Sequence, residues 1–89
     1  MHSDSAVVLV TGAGKRVGAA LARMLHTQGY SIALHYRHSA TEASALAESM
    51  NAQRANSCLL IQADLNDSAA RDAVIPKVIA RFGRLDALI

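Results

Sequence analysis

The run Ala6-Val-Val-Leu-Val-Thr-Gly-Ala-Gly-Lys-Arg-Val-Gly18 decides how the rest of the chain is read. Five apolar residues, Ala6–Val10, break into a glycine-bearing turn, and from Val17 apolar residues recur at helical spacing. Strand, glycine turn and helix in that order make the βα unit that a dinucleotide requires. The first glycine permits the tight turn, and the last lets helix and strand pack closely. Free N–H groups at the new helix's N-terminus can then face a pyrophosphate. Gly12, Gly14 and Gly18 are spaced G-x-G-x-x-x-G, one residue longer than the general G-x-G-x-x-G fingerprint. A Walker A loop ending at Gly14-Lys15 would need Ser or Thr at 16 and Gly at 9, where the chain has Arg16 and Leu9. A plain strand-to-helix turn without a ligand is the competing reading.

Outward from this turn, the composition sets limits. Eighty-nine residues allow one small domain, and 52% hydrophobic with 3% aromatic content describes an aliphatic α/β core rather than a disordered chain. A net charge of +2 is too small an excess to argue for nucleic acid. The single cysteine, Cys58, excludes an internal disulfide and suits a reducing compartment, so a cytoplasmic location is expected. No apolar run approaches a membrane span, and Met1–Ser5 lacks the regions of a signal peptide. Four histidines and one cysteine do not assemble a zinc-type ligand set, and no metal is expected. Each histidine is read as a loop, helix-surface or phosphate-contacting residue, and Cys58 as a small core hydrophobe.

In chain order, residues 1–5 are expected to be disordered and Ala6–Val10 to be a strand buried on both faces. A helix over Arg16–Gln28 carries Val17, Ala20, Leu21, Met24 and Leu25 on one face, and Gly29 stands at its C-cap. Ser31–Tyr36 is the second strand. Ser39 or Thr41 caps a helix to about Asn51, with Ala43, Leu46, Ala47 and Met50 as its stripe. Cys58–Ala63 is the third strand. Asn66 or Asp67 caps further helix, and Pro76 is expected to divide it into a turn near Ser68–Ala73 and a helix over Pro76–Phe82, ended by Gly83. Leu85–Ile89 is the fourth strand. This β-α-β-α-β-α-β order predicts an α/β fold: a Rossmann-type, doubly wound parallel sheet in the order 3-2-1-4, incomplete at its open edge. The ligand crevice lies at the switch between the first and fourth strands, beyond their carboxyl ends.

Thr11-Gly12-x-x-x-Arg16-x-Gly18 resembles the T-G-x-x-x-G-x-G turn of the short-chain dehydrogenase/reductases, with arginine at the middle glycine. That substitution, and the run Leu34-His-Tyr-Arg-His-Ser-Ala40, are similar to the pteridine reductase branch of the family. Gln62-Ala-Asp-Leu65 and Arg81-Phe-Gly-Arg-Leu-Asp86 extend the resemblance over Val7–Ile89. It implies that Gly12, Lys15, Arg16, Val17 and Gly18 hold cofactor phosphates, with Arg16 also orienting substrate. Tyr36 stands where an acidic residue would select NAD. Arg37 can grip a 2′-phosphate through paired donors, His38 follows, and Ser39 adds a hydroxyl. Lys15 places a second cation near the same phosphate, so NADPH/NADP is the cofactor implied. Asp64 and Leu65 match the dipeptide that meets adenine, although Asp64 could equally be a capping or turn residue.

The family's Tyr-x-x-x-Lys motif is not in this sequence: Tyr30 and Tyr36 are followed four residues on by Leu34 and Ala40. No catalytic residue is therefore assigned, and the 89-residue chain alone is expected to be inactive, as the N-terminal NADP-binding portion of a single Rossmann-fold domain. The parent protein is expected to reduce a pterin or a related small C=N or C=O substrate, as a homo-oligomer (a tetramer in full-length family members). No nucleic acid or membrane partner is expected. A non-catalytic nucleotide-binding or regulatory module and a small basic interaction protein are the two alternatives. The low aromatic content argues against the latter.

Overall fold

The structure, a computed structural model, describes residues 5–12 and 16–89. Seven elements alternate: β1 (Val7–Val10), α1 (Arg16–Thr27), β2 (Ser31–Tyr36), α2 (Ala40–Gln53), β3 (Cys58–Gln62), α3 (Ser68–Phe82) and β4 (Ala87–Leu88). The strands form one parallel sheet in the order β3-β2-β1-β4, as the alternation predicts.

Alternation along β1 divides the core. Val8 and Val10 join Ile32 and Leu34 beneath α1 and α2, where Ala22, Leu46, Ala47 and Met50 close the layer. Val7 and Leu9 face the other way, with Ala33, Ile61 and Ala63 against Val74, Val78 and Phe82 of α3. Every residue of β1 is buried, because helices cover both of its faces. β4 is tied to β1 at its start by a reciprocal contact: the Val7 N–H donates to Asp86 Oδ2 at 2.8 Å, and the Asp86 N–H donates to the Val7 carbonyl at 2.9 Å. Arg84 grips the same carboxylate, and these two contacts hold Asp86 below the usual carboxylate range.

Three expectations need correction. α3 is one helix through Pro76, not two pieces. Its buried residues Val74, Val78 and Phe82 lie at four-residue steps on either side of the proline. Burying each contributes about 1.5–3 kcal/mol, which together outweighs the roughly 3 kcal/mol an interior proline costs. Pro76 itself is exposed, as is Asp72, whose carbonyl loses the N–H it would otherwise receive. Asp67 caps the helix, accepting from the N–H groups of Ala69 and Ala70, and Gly83 ends it at φ 80°.

The buried face of α1 is only partly the predicted one, since of that stripe Leu21 and Leu25 alone stay half-buried. Ala22 and His26 are buried, with Gly18, Ala19 and Leu25 half-buried, whereas Val17 is 75% and Met24 48% exposed. The small residues let α1 lie close to the sheet, and this close approach outweighs the apolar stripe in setting the helix's rotation. The third correction concerns histidine: His26 and His35 are buried, not on loops or helix surfaces. Cys58 packs in the core as expected, and burial pushes its thiol up to about 12. Ser5 forms a bend and is half-buried; the expectation for residues 1–4 lies outside the described residues. Among the described residues no helix is long and apolar enough to cross a membrane, and no three metal-ligating side chains converge.

Candidate cofactor site

Beyond the carboxyl end of β1 the chain turns at Thr11 and Gly12, and Gly12 takes φ 66°, a left-handed conformation that disfavours any residue with a Cβ. A cleft of about 830 Å³ opens there, lined by Thr11, Gly12, Arg16, Val17 and Gly18 from the turn and α1. Val10, Leu21, Ser39 just before α2, Glu42 in its first turn and Ile89 beside β4 complete its described wall. Thr11 anchors the β4 side: its N–H and its hydroxyl both donate to the Ile89 carbonyl at 2.9 Å. The position matches the crevice predicted at the sheet's switch point.

Of the residues singled out in sequence, Gly12, Arg16, Val17, Gly18 and Ser39 share this cleft. Lys15 lies outside the described residues. Arg16 opens α1, whose first turn carries no acidic side chain. A cation at that end is disfavoured by the helix dipole unless an anion is bound nearby. Ser39 precedes α2 but makes no side-chain capping bond.

A second cluster stands over the ends of β2 and β3. Tyr36 ends β2 half-buried, and Arg37 and His38 follow, both exposed. Arg37 pairs with Asp64 at 3.1 Å, while the Arg37 carbonyl accepts from the Gln62 side-chain amide at 3.2 Å. The other oxygen of Asp64 accepts from the Asn66 N–H at 2.9 Å, so Asp64 is both a turn residue and an ion-pair partner. Leu65 is partly exposed, and its carbonyl accepts from Arg71. Tyr36, Arg37, His38, Asp64 and Leu65 do not line the first cleft.

Sequence reasoning missed His35, which links the two clusters. Its Nδ1 accepts from the Gly12 N–H at 3.3 Å, and its Nε2 bonds the Ala63 carbonyl at 2.8 Å. The available signal was position: His35 lies within β2, a strand buried on both faces from Ser31 to His35.

The sequence model of the short chain dehydrogenases matches residues 6–89 of this chain. The chain belongs to the short-chain dehydrogenase family. The chain is 44% identical over 88 residues to pteridine reductase 1 of Leishmania tarentolae, an alignment covering 93% of this chain and 30% of that protein. It is 39% identical over 83 residues to hydroxynaphthalene reductase arp2 of Aspergillus fumigatus, again covering 93% of this chain and 30% of the relative. To the 3-oxoacyl-[acyl-carrier-protein] reductase FabG of Staphylococcus aureus it is 37% identical over 81 residues, covering 91% of this chain and 32% of FabG. The chain thus spans about a third of the length of these relatives.

Proposed function

We propose that this chain is the N-terminal cofactor-binding portion, residues 1–89 of one Rossmann domain, of a cytoplasmic NADPH-dependent reductase. The observation that carries the reading is the cleft in which Gly12, Arg16, Gly18 and Ser39 meet beyond β1. A backbone turn, the start of a helix, a guanidinium and a hydroxyl are the donors a pyrophosphate needs. The residues fit the cofactor. Gly12, Arg16, Val17 and Gly18 would hold the pyrophosphate side, with Lys15 near the 2′-phosphate. Tyr36, Arg37, His38 and Ser39 would surround the adenosine ribose, with Arg37 on the 2′-phosphate. Asp64 and Leu65 would meet adenine.

When bound, NADPH supplies the hydride. A pterin, or a related small molecule with a C=N or C=O group, is the substrate this reading favours. Its support is the arginine at position 16 and the identity with a protein named pteridine reductase 1. Arg16 would face both the cofactor phosphate and the substrate. No residue of the chain is assigned the proton transfer, and the 89 residues alone are read as binding without turnover. The parent protein is read as a homo-oligomer.

Titration calorimetry of the full protein with NADPH and NADH tests the cofactor assignment. Arg37→Asp removes a charge-assisted contact, so NADPH affinity should fall about tenfold or more while NADH affinity holds. Equal weakening of the two would refute the phosphate role. Oxidation of NADPH in the presence of an oxidised pterin, compared with a simple ketone, tests the substrate class.

A further inference from the structure

His35 is 4% exposed, and both of its ring nitrogens are spent on backbone groups. Those partners have fixed roles, and this decides the state of the ring. A carbonyl can only accept, so Nε2 carries a hydrogen toward Ala63. An amide N–H can only donate, so Nδ1 is bare toward Gly12. The ring is therefore the neutral Nε2–H tautomer, and a proton on Nδ1 would set two hydrogens against each other.

The two backbone groups matter because of what adjoins them. Gly12 lines the cleft and holds the left-handed turn on which the cleft's shape depends. Ala63 directly precedes Asp64, whose carboxylate is paired with Arg37. One rigid imidazole thus spans from the turn after β1 to the loop after β3, at the carboxyl edge of the sheet. A buried hydrophobe of similar size would fill the volume but leave the Gly12 N–H without this partner.

We propose that His35 is a positioning residue for nucleotide binding. As the Nε2–H tautomer it fixes the Gly12 turn against the Asp64 loop, and so pre-forms the distance between the pyrophosphate and adenosine ends of the site. The proposal rests on the cofactor reading given above. It concerns orientation only, since both ring nitrogens of His35 are spent on the backbone of Gly12 and Ala63.

Three substitutions separate positioning from packing. Asn at 35 keeps an acceptor near the Nδ1 position, Gln keeps a donor near the Nε2 position, and Leu keeps neither. NADPH dissociation constants and urea midpoints are measured for each in the full protein. Loss of the bond to Gly12 should weaken NADPH binding about tenfold in His35→Gln and His35→Leu, with His35→Asn within about threefold of wild type. Affinities that are unchanged in all three, or that follow the urea midpoints without the recovery by Asn, would overturn the proposal. If the variants do not fold, long-range 1H–15N spectra of the wild-type protein at neutral pH decide instead. The Nε2–H tautomer upholds the proposal, and Nδ1–H or a doubly protonated ring overturns it. A wild-type protein that binds neither NADPH nor NADH would bring down the cofactor reading, and this inference with it. Binding with a tie among the variants removes only the role of His35.

Discussion

Arg37 and Asp64 meet in an ion pair of 3.1 Å across the carboxyl ends of β2 and β3. The family resemblance implies that they serve different parts of an adenosine pocket, the arginine a 2′-phosphate and the aspartate adenine, with a capping or turn role equally open for the aspartate. The structure shows them holding each other. With side chains 49% and 39% exposed, water screens the pair, and such a contact contributes at most about 1 kcal/mol to folding. On the proposed cofactor assignment, its consequence lies in the charge that Arg37 would present to a phosphate.

Asp64→Asn should therefore raise the ratio of NADPH to NADH affinity severalfold, because it removes the carboxylate that partly neutralises Arg37. Any change in an adenine contact is common to both cofactors and cancels in the ratio. The unfolding midpoint should move little, by the equivalent of less than about 1 kcal/mol. Calorimetric titration of both cofactors, with a urea melt beside it, checks this. A ratio that falls would mean that Asp64 orients Arg37 more than it neutralises it.

A buried latch joins the far end of the sheet. The His26 Nε2 lies 2.6 Å from the Ser57 hydroxyl, which in turn reaches the carbonyls of Arg54 and Met50. The hydroxyl has one hydrogen and gives it to a carbonyl, so His26 donates to Ser57. Ser57→Ala leaves that N–H buried without an acceptor and should cost about 1–3 kcal/mol. Burial, and then the nearby Arg54 cation, hold His26 below its ordinary 6.5, a contact with Gln53 opposing them. The unfolded chain therefore takes up the proton first. Stability is fully present above 6.5 and is lost as pH falls toward the folded-state value. Urea midpoints at a series of pH values from neutral to mildly acidic measure it, and a midpoint that rises on acidification would contradict the sign.

Pro76 stands within α3 with its ring exposed. Pro76→Ala restores an N–H to the Asp72 carbonyl, removing a cost of about 3 kcal/mol, while the unfolded chain regains freedom worth about 0.4–1 kcal/mol. A net gain of about 2 kcal/mol should appear as a raised thermal midpoint. An unchanged midpoint would mean that the helix already bends to relieve the proline.

Much of the fold was legible because its signals are local. The apolar run into Gly12, the alternation of strands and helices, a cap at Asn66 or Asp67 (which falls to Asp67) and Gly83 as a stop all act within a few residues of themselves. The stripe of α2 was legible for the same reason: Ala43, Leu46, Ala47 and Met50 are all buried. The stripe of α1 was not. Periodicity names an apolar face, but Gly18, Ala19 and Ala22 offer a closer approach to the sheet, and Val17 and Met24 turn outward. Pro76 misled in the opposite way, since a local penalty yielded to Val74, Val78 and Phe82 packing across it.

By itself the sequence determined the alternation of strands and helices, from which the strand order follows, and the place of the glycine turn, because apolar periodicity and glycines are written along the chain. The family came from the resemblance of Thr11–Gly18 and the later runs to the short-chain dehydrogenases. The tertiary structure alone decided which of those residues meet. Gly12 and His35 are 23 residues apart and Arg37 and Asp64 are 27, and no pattern along the chain records either contact. Parallel pairing of β2 with β1 and β3 brings both pairs to one edge of the sheet. There the partner of a buried imidazole or an exposed guanidinium is set by register between strands.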